Sequence, residues 1–164
     1  MKKKIELIGA TDVVDLPELG WYQVPVRVDS GANTSAIHCA RVRLIKEGDD
    51  TKLCFYLDVK KGAPEQSFTV SEFKEAMIRN SSGIEEKRYI IKTRIVIFGR
   101  KIHTEFSLAN RTKMSYPILL GRKLLKGRFL IDVAQKDLSA KQNADKTRHK
   151  KKPDAEANPT LLIQ

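Results

Sequence analysis

Val24, Val26 and Val28 alternate with Pro25 and Arg27, and a two-residue hydrophobic period recurs along most of the chain. Residues two apart share one face of a strand, so this period predicts β-strands with one side turned to a core. Ile5, Leu7 and Ile8 predict a first strand ending at Gly9, Thr11–Leu16 a second and Trp21–Val28 a third, with Pro17-Glu18-Leu19-Gly20 as a turn. Ala40–Ile45 and Lys52–Val59 form a hairpin about the polar Glu47–Thr51 loop. A loop at Lys60–Gln66, broken by Gly62 and Pro64, leads to a short strand at Ser67–Val70. Phe73–Arg79 suits a strand, with a helical turn over Glu72–Met77 as the alternative. Asn80-Ser81-Ser82-Gly83 is a turn signal and Lys87–Phe98 the longest β-rich run, which together predict a long hairpin.

After a turn at Gly99-Arg100, Ile102, Thr104, Phe106 and Leu108 alternate against His103, Glu105 and Ser107, the cleanest amphipathic strand of the chain. Tyr116–Gly121 predicts a short buried strand ending in glycine, Arg122–Lys126 a short helix and Phe129–Val133 a final strand. The predicted class is all-β with one short helix. From about Lys136 large apolar residues vanish until Leu161-Leu162-Ile163, so we expect one domain over residues 1–135 and a basic, disordered tail over 136–164. Within that tail, Arg148-His149-Lys150-Lys151-Lys152 is a solvated charge run or a nucleic-acid contact.

Composition narrows the classes. At 164 residues and 41% hydrophobic the chain can bury one sizeable core. No apolar run reaches the roughly 18 residues of a membrane span. Glu6, Asp12 and Asp15 interrupt what would be the apolar part of a signal peptide behind Lys2-Lys3-Lys4, which points to the cytoplasm. Cys39 and Cys54 are best read as two thiols in a reducing compartment, against a disulfide or a metal site. The net charge of +11 and pI near 9.7 imply an acidic partner: nucleic acid, an anionic membrane surface or a Glu/Asp-rich polypeptide.

The chemistry lies where the third strand stops. Asp29-Ser30-Gly31-Ala32 sets a carboxylate at the strand end, a hydroxyl beside it and a glycine that allows close backbone approach. A turn-forming aspartate bonded to its own backbone is the plainer reading. Hydrophobic-Asp-Ser-Gly-Ala-x-x-Ser resembles the active-site loop of retropepsin-like aspartic peptidases. Leu16–Gly20, Val28–Ala32, Ser35–His38, Asn80–Gly83 and Tyr116–Arg122 moreover follow the order of a bacterial family labelled ATP-dependent zinc protease, whose domain is retropepsin-like; the resemblance covers roughly residues 8–135. It implies an acid-protease barrel in which Asp29-Ser30-Gly31 is the catalytic loop, Asn80–Glu86 the tip of a flap, Leu119-Leu120-Gly121 a threading segment and Arg122–Lys126 the helix after it.

Aspartic proteolysis needs two carboxylates sharing one proton, and the chain contains one Asp-Ser-Gly. A homodimer that sets Asp29 against its copy meets that need, with Ser30 bracing the loop and the Gly31 N–H holding the carboxylate. Ala32, Ser82, Gly83 and Gly121 are the expected substrate-side residues of loop, flap and threading segment. Arg88, Arg111 and Arg122 suit carboxylate recognition by their planar forks, or are surface salt-bridge partners. No residue pattern supports the zinc or the ATP of the family label. His38, His103 and His149 are scattered, and neither H-E-x-x-H nor a phosphate-binding G-x-x-x-x-G-K-[ST] occurs. His38 could join Asp29 or Cys54 at a metal, but a satisfied polar residue near a turn is the favoured reading. We therefore expect no cofactor and no metal.

The expected partners are an acidic peptide or protein substrate, a second copy of the chain and an ATP-grasp glutamate ligase, with which the family is often associated. A dimeric, non-catalytic adaptor for RNA or a ribosomal protein is the alternative; an aromatic content of 7% offers few stacking surfaces for RNA.

Overall fold

The computed structural model describes residues 4–80, 82–111 and 115–156, with side chains as far as Lys150. The strands are β1 (Glu6–Ile8), β2 (Thr11–Leu16), β3 (Trp21–Val28), β4 (Ser35–His38), β5 (Arg41–Glu47), β6 (Asp50–Leu57), β7 (Gln66–Val70), β8 (Lys74–Arg79), β9 (Glu85–Ile97), β10 (Arg100–Ala109), β11 (Ile118–Leu120) and β12 (Phe129–Ile131). Two helices, α1 (Arg122–Leu125) and α2 (Leu138–Glu156), complete the chain. The class is all-β, as the two-residue period predicts. The segment over Phe73–Arg79 is a strand, not a helical turn.

Six strands close into a barrel in the order β10, β4, β11, β3, β2, β9, with β9 pairing back to β10, and β8 extends the sheet beyond β9. Closure leaves no free edge in the ring. The alternating residues point inward: Asp12, Val14 and Leu16 of β2 are buried, as are Trp21, Val24 and Val26 of β3. A separate sheet, β5-β6-β7, lays Leu53, Phe55 and Leu57 into the same core. β1 and β12 form a parallel pair beside the barrel.

β9 divides into two halves. Ile90, Ile91, Ile95 and Ile97 are buried in the barrel wall, whereas Glu85, Glu86 and Lys87 are exposed and pair only with β8. The half with no core to bury against projects as a hairpin arm. At the opposite end Phe98 and Gly99 both have positive φ, 52° and 68°, and join β9 to β10 one residue before the expected Gly99-Arg100 turn. This conformation is rare for a bulky residue. Phe98 is held there by its N–H, which donates to Ser139 Oγ at 2.8 Å, and by its ring against Phe129 at 5.7 Å.

Two elements go beyond the sequence pattern. β4 falls in a stretch to which the hydrophobic period assigns no strand, because Ser35, Ala36 and Ile37 are all buried. A strand covered on both faces loses its alternation. The segment beyond residue 135 is not structureless either, since α2 runs from Leu138 to Glu156. Its N-terminal amides find their acceptor far away in the sequence: the Asp12 carboxylate accepts from Ser139 N at 2.9 Å and Ala140 N at 3.2 Å, and also from Val13 N at 2.7 Å. The Thr11 hydroxyl donates to Asp137 Oδ1 at 3.0 Å. A helix start needs such acceptors, and here a strand of the barrel supplies them. From Lys141 to Lys150 the helix is exposed.

Asp12 is 1% exposed, and burial, the largest influence on it, raises its pKa above the ordinary 3.8 against the pull of the three amides. A carboxyl whose folded pKa is raised contributes stability below the unfolded value that is lost as pH climbs through the folded value. Urea titrations should show the stability of wild type relative to Asp12→Asn falling as pH rises from about 3.8 through that window. At neutral pH Asp12→Ala should cost about 1–3 kcal/mol and open the Ser139 and Ala140 amides to hydrogen exchange.

Candidate active site

β3 delivers Asp29 to the end of the barrel, and β11 fixes it there. β11 runs parallel to β3, with Leu120 opposite Val28, and antiparallel to β4. The Asp29 N–H donates to the Leu120 carbonyl at 2.9 Å. The Gly31 N–H donates to Asp29 Oδ1 at 2.8 Å, so the carboxylate is turned back over its own loop. This is the local turn of the plainer reading, built into a barrel end.

The segment after β11 closes on the loop from below. Gly121 donates its N–H to Ser35 Oγ at 3.0 Å, and the Ser107 hydroxyl donates to the Ser35 carbonyl at 3.3 Å. The Arg122 and Lys123 amides, which open α1, donate to the Ala32 and Asn33 carbonyls at 2.8 and 3.0 Å. The first amides of a helix have no partner within it, and here the aspartate loop accepts from them. Arg122 Nη1 adds a hydrogen bond to the Ser30 carbonyl at 2.9 Å.

Above the loop lies a cleft of about 960 Å³. Asp29, Gly31 and Ala32 form one wall, the arm strand β8 faces them, and Arg88, Arg111 and Arg122 line the same space. Arg88, its side chain 16% exposed, pairs with Glu86 at 3.2 Å. Arg111 is half-buried; its N–H donates to His38 Nδ1 at 2.7 Å and its Nε to the Tyr116 carbonyl at 3.4 Å. Burial lowers the Arg111 pKa first and the nearby Arg88 and Arg27 charges lower it further, while Asp29 acts in the opposite sense. Like charges gathered around one carboxylate make this an anion-attracting cleft.

Gly121 lies behind the cleft wall beside Leu119. Ser30 opens onto a neighbouring depression shared with Asn33, Leu125, Phe129 and Ile131. Ser82 and Gly83 sit at the tip of the β8–β9 arm, outside the cleft lining, and Ser81 lies outside the described residues. Asn80 shapes that tip: its Oδ1 accepts from Ser82 N and Ile84 N, each at 3.0 Å. His38 is the satisfied polar residue expected of it. Among the described residues no group of three or more His, Cys, Asp or Glu is placed to hold a metal ion. Cys39 and Cys54 are free and buried, and burial pushes the Cys39 thiol up.

The sequence reading missed Lys74 and Lys123, which also line the cleft, and Glu105, which holds both. Only the register of β10 against its neighbours makes them a group.

A closed barrel with an Asp-Ser-Gly loop, a threading strand behind it and a hairpin arm over it defines a retropepsin-like protein. Residues 7–142 match the RimB-like family, described as retropepsin-like aspartic endopeptidase RimB, and the chain belongs to that family. That description carries neither zinc nor ATP. The chain is 32% identical, over 80% of its length, to a probable alpha-L-glutamate ligase of Parasynechococcus marenigrum, and 31% identical, over 84%, to one of Shewanella halifaxensis. It spans 28% and 30% of those proteins. The crystal structure of Lpg0085, a Legionella pneumophila protein of unknown function, shares the fold with a TM-score of 0.66 at 20% identity, covering 83% of this chain and 99% of that one. No helix among the described residues is long and apolar enough to cross a membrane.

Gly121 tests the approach of the two segments. An added Cβ would lie 2.9 Å from the Ala32 oxygen and the Thr34 carbonyl carbon, both backbone atoms. Its φ of −99° suits any residue, so space alone forbids a side chain. Gly121→Ala should lower stability by about 1–3 kcal/mol in thermal or urea unfolding, and Gly48→Ala, with nothing near its Cβ, should show only the smaller cost of its positive φ.

Proposed function

We propose that this protein is an aspartic endopeptidase in which Asp29 and the Asp29 of a second copy hydrolyse peptide bonds of acidic polypeptides. The observation that carries the reading is the Asp29 carboxylate, held by the Gly31 N–H at the mouth of a peptide-sized cleft beneath a hairpin arm. Two carboxylates a few ångströms apart hold one proton between them. The ionised member draws a proton from water, which attacks the scissile carbonyl, while the protonated member donates to the carbonyl oxygen. Ala32 and the arm, with Ser82 and Gly83 at its tip, flank the substrate backbone; Gly121 keeps the loop in place.

The second carboxylate comes from a homodimer. Ser30 supports this, because it lies outside the cleft in a depression shared with Phe129 and the exposed Ile131 of β12. Joining two copies over that depression would cover Ile131 and bring the two Ser30 loops together.

Arg88, Arg111 and Arg122 favour a carboxylate-rich substrate. The curated relatives named probable alpha-L-glutamate ligase support a glutamate-tailed polypeptide, handled in the cytoplasm alongside an ATP-grasp ligase that adds the tail.

Cleavage of glutamate-tailed and neutral peptides, followed across acid to neutral pH, tests the reading. Asp29→Asn should reduce turnover by about 10²–10⁴-fold, a chelator should leave it unchanged, and tailed peptides should be preferred. Equal processing of neutral peptides would reject the acidic substrate. Peptide binding without any wild-type cleavage would favour the adaptor.

Ile131 is 37% exposed, so Ile131→Lys should leave the fold intact. Sedimentation should then show monomers, with activity lost in parallel. An active monomer would defeat the paired-aspartate mechanism.

A further inference from the structure

Lys74 of β8 and Lys123 of α1 come from opposite sides of the cleft and meet at one carboxylate. Lys74 Nζ lies 2.7 Å from Glu105 Oε1, and Lys123 Nζ 3.0 Å from Oε2. Glu105 stands on β10 behind the cleft lining, its side chain 16% exposed, whereas the lysine side chains are 56% and 42% exposed and line the cleft itself. The two ammonium groups hold the Glu105 pKa below its ordinary 4.5.

The charges of the group do not cancel. Two ammoniums and one carboxylate leave a net positive charge at the cleft wall. Each ammonium has three donors, and Glu105 takes one from each. Glu105 also sets the spacing, because each of its two oxygens holds one lysine. A carboxylate arriving from the cleft therefore meets two cations already held side by side on one acid. Ordering them beforehand removes part of the entropy cost of binding.

We propose that Lys74 and Lys123, spaced by Glu105, form a subsite for an acidic side chain of the substrate, distinct from the arginines around Asp29. This rests on the reading that the cleft takes acidic polypeptides. Through Lys123, whose amide bonds the Asn33 carbonyl, the subsite is tied to the aspartate loop, and through Lys74 to the arm. An acidic residue seated there links the two walls.

Binding measured without turnover keeps this separate from the peptidase reading. In the Asp29→Asn protein, fluorescence anisotropy would compare a labelled oligo-glutamate peptide with an oligo-glutamine peptide of the same length. Lys74→Met and Lys123→Met should each weaken oligo-glutamate binding about five-fold, the double variant about 20-fold, and Lys74→Arg should restore most of the loss. Oligo-glutamine binding should not change, which also reports that the cleft remains folded. Equal weakening of both peptides, an unchanged oligo-glutamate affinity, or no oligo-glutamate binding before mutation would each overturn the subsite. If wild-type protein never cleaves while the lysine-dependent selectivity holds, the peptidase reading fails and the subsite stands.

Discussion

The approach of two backbone segments at one end of the barrel governs this structure. The aspartate loop and the chain around Gly121 lie so close that a single methyl group on Gly121 would meet backbone atoms of Ala32 and Thr34. Contact at that distance lets the Arg122 and Lys123 amides reach the Ala32 and Asn33 carbonyls and the Gly121 amide reach Ser35 Oγ. Polar groups that would otherwise be left without partners at a helix start and in a turn satisfy one another. The loop is thereby built into the barrel, and the Asp29 carboxylate inherits that rigidity.

Charge is organised around this rigid point in two tiers. Arg88 and Arg111 gather beside Asp29, where burial and mutual repulsion weigh on Arg111. Lys74 and Lys123 stand apart from them, anchored by Glu105. The arm that supplies Lys74 has little core of its own, so its position relative to the barrel depends on such polar ties. The lysines of the proposed subsite are therefore also ties between the arm, β10 and α1.

The Asp12 carboxylate plays a comparable part at the start of α2. A buried acid on β2 accepts the first amides of a helix more than a hundred residues later. The helix start then supports the strained Phe98 turn through Ser139. The start of a segment whose composition reads as solvated tail is held to the barrel by Asp12 together with Thr11 and the Phe98 amide.

Periodicity alone determined the all-β class and nearly every strand, since alternation is imposed locally by a pleat with one wet face. β2 and β3 begin and end where the pattern places them. Of the cleft-lining residues, Asp29, Gly31, Ala32 and Arg122 stand in the motif segments that mark out the loop and the strand behind it. Tertiary structure decided the rest. β4 escaped notice because burial on both faces erases the period, and α2 because its capping acceptor is remote in sequence. Glu105 reads as one more polar residue on an amphipathic strand until β8 and α1 bring two lysines to it. That cluster has no local pattern, because it is made by segments that meet only when the barrel closes.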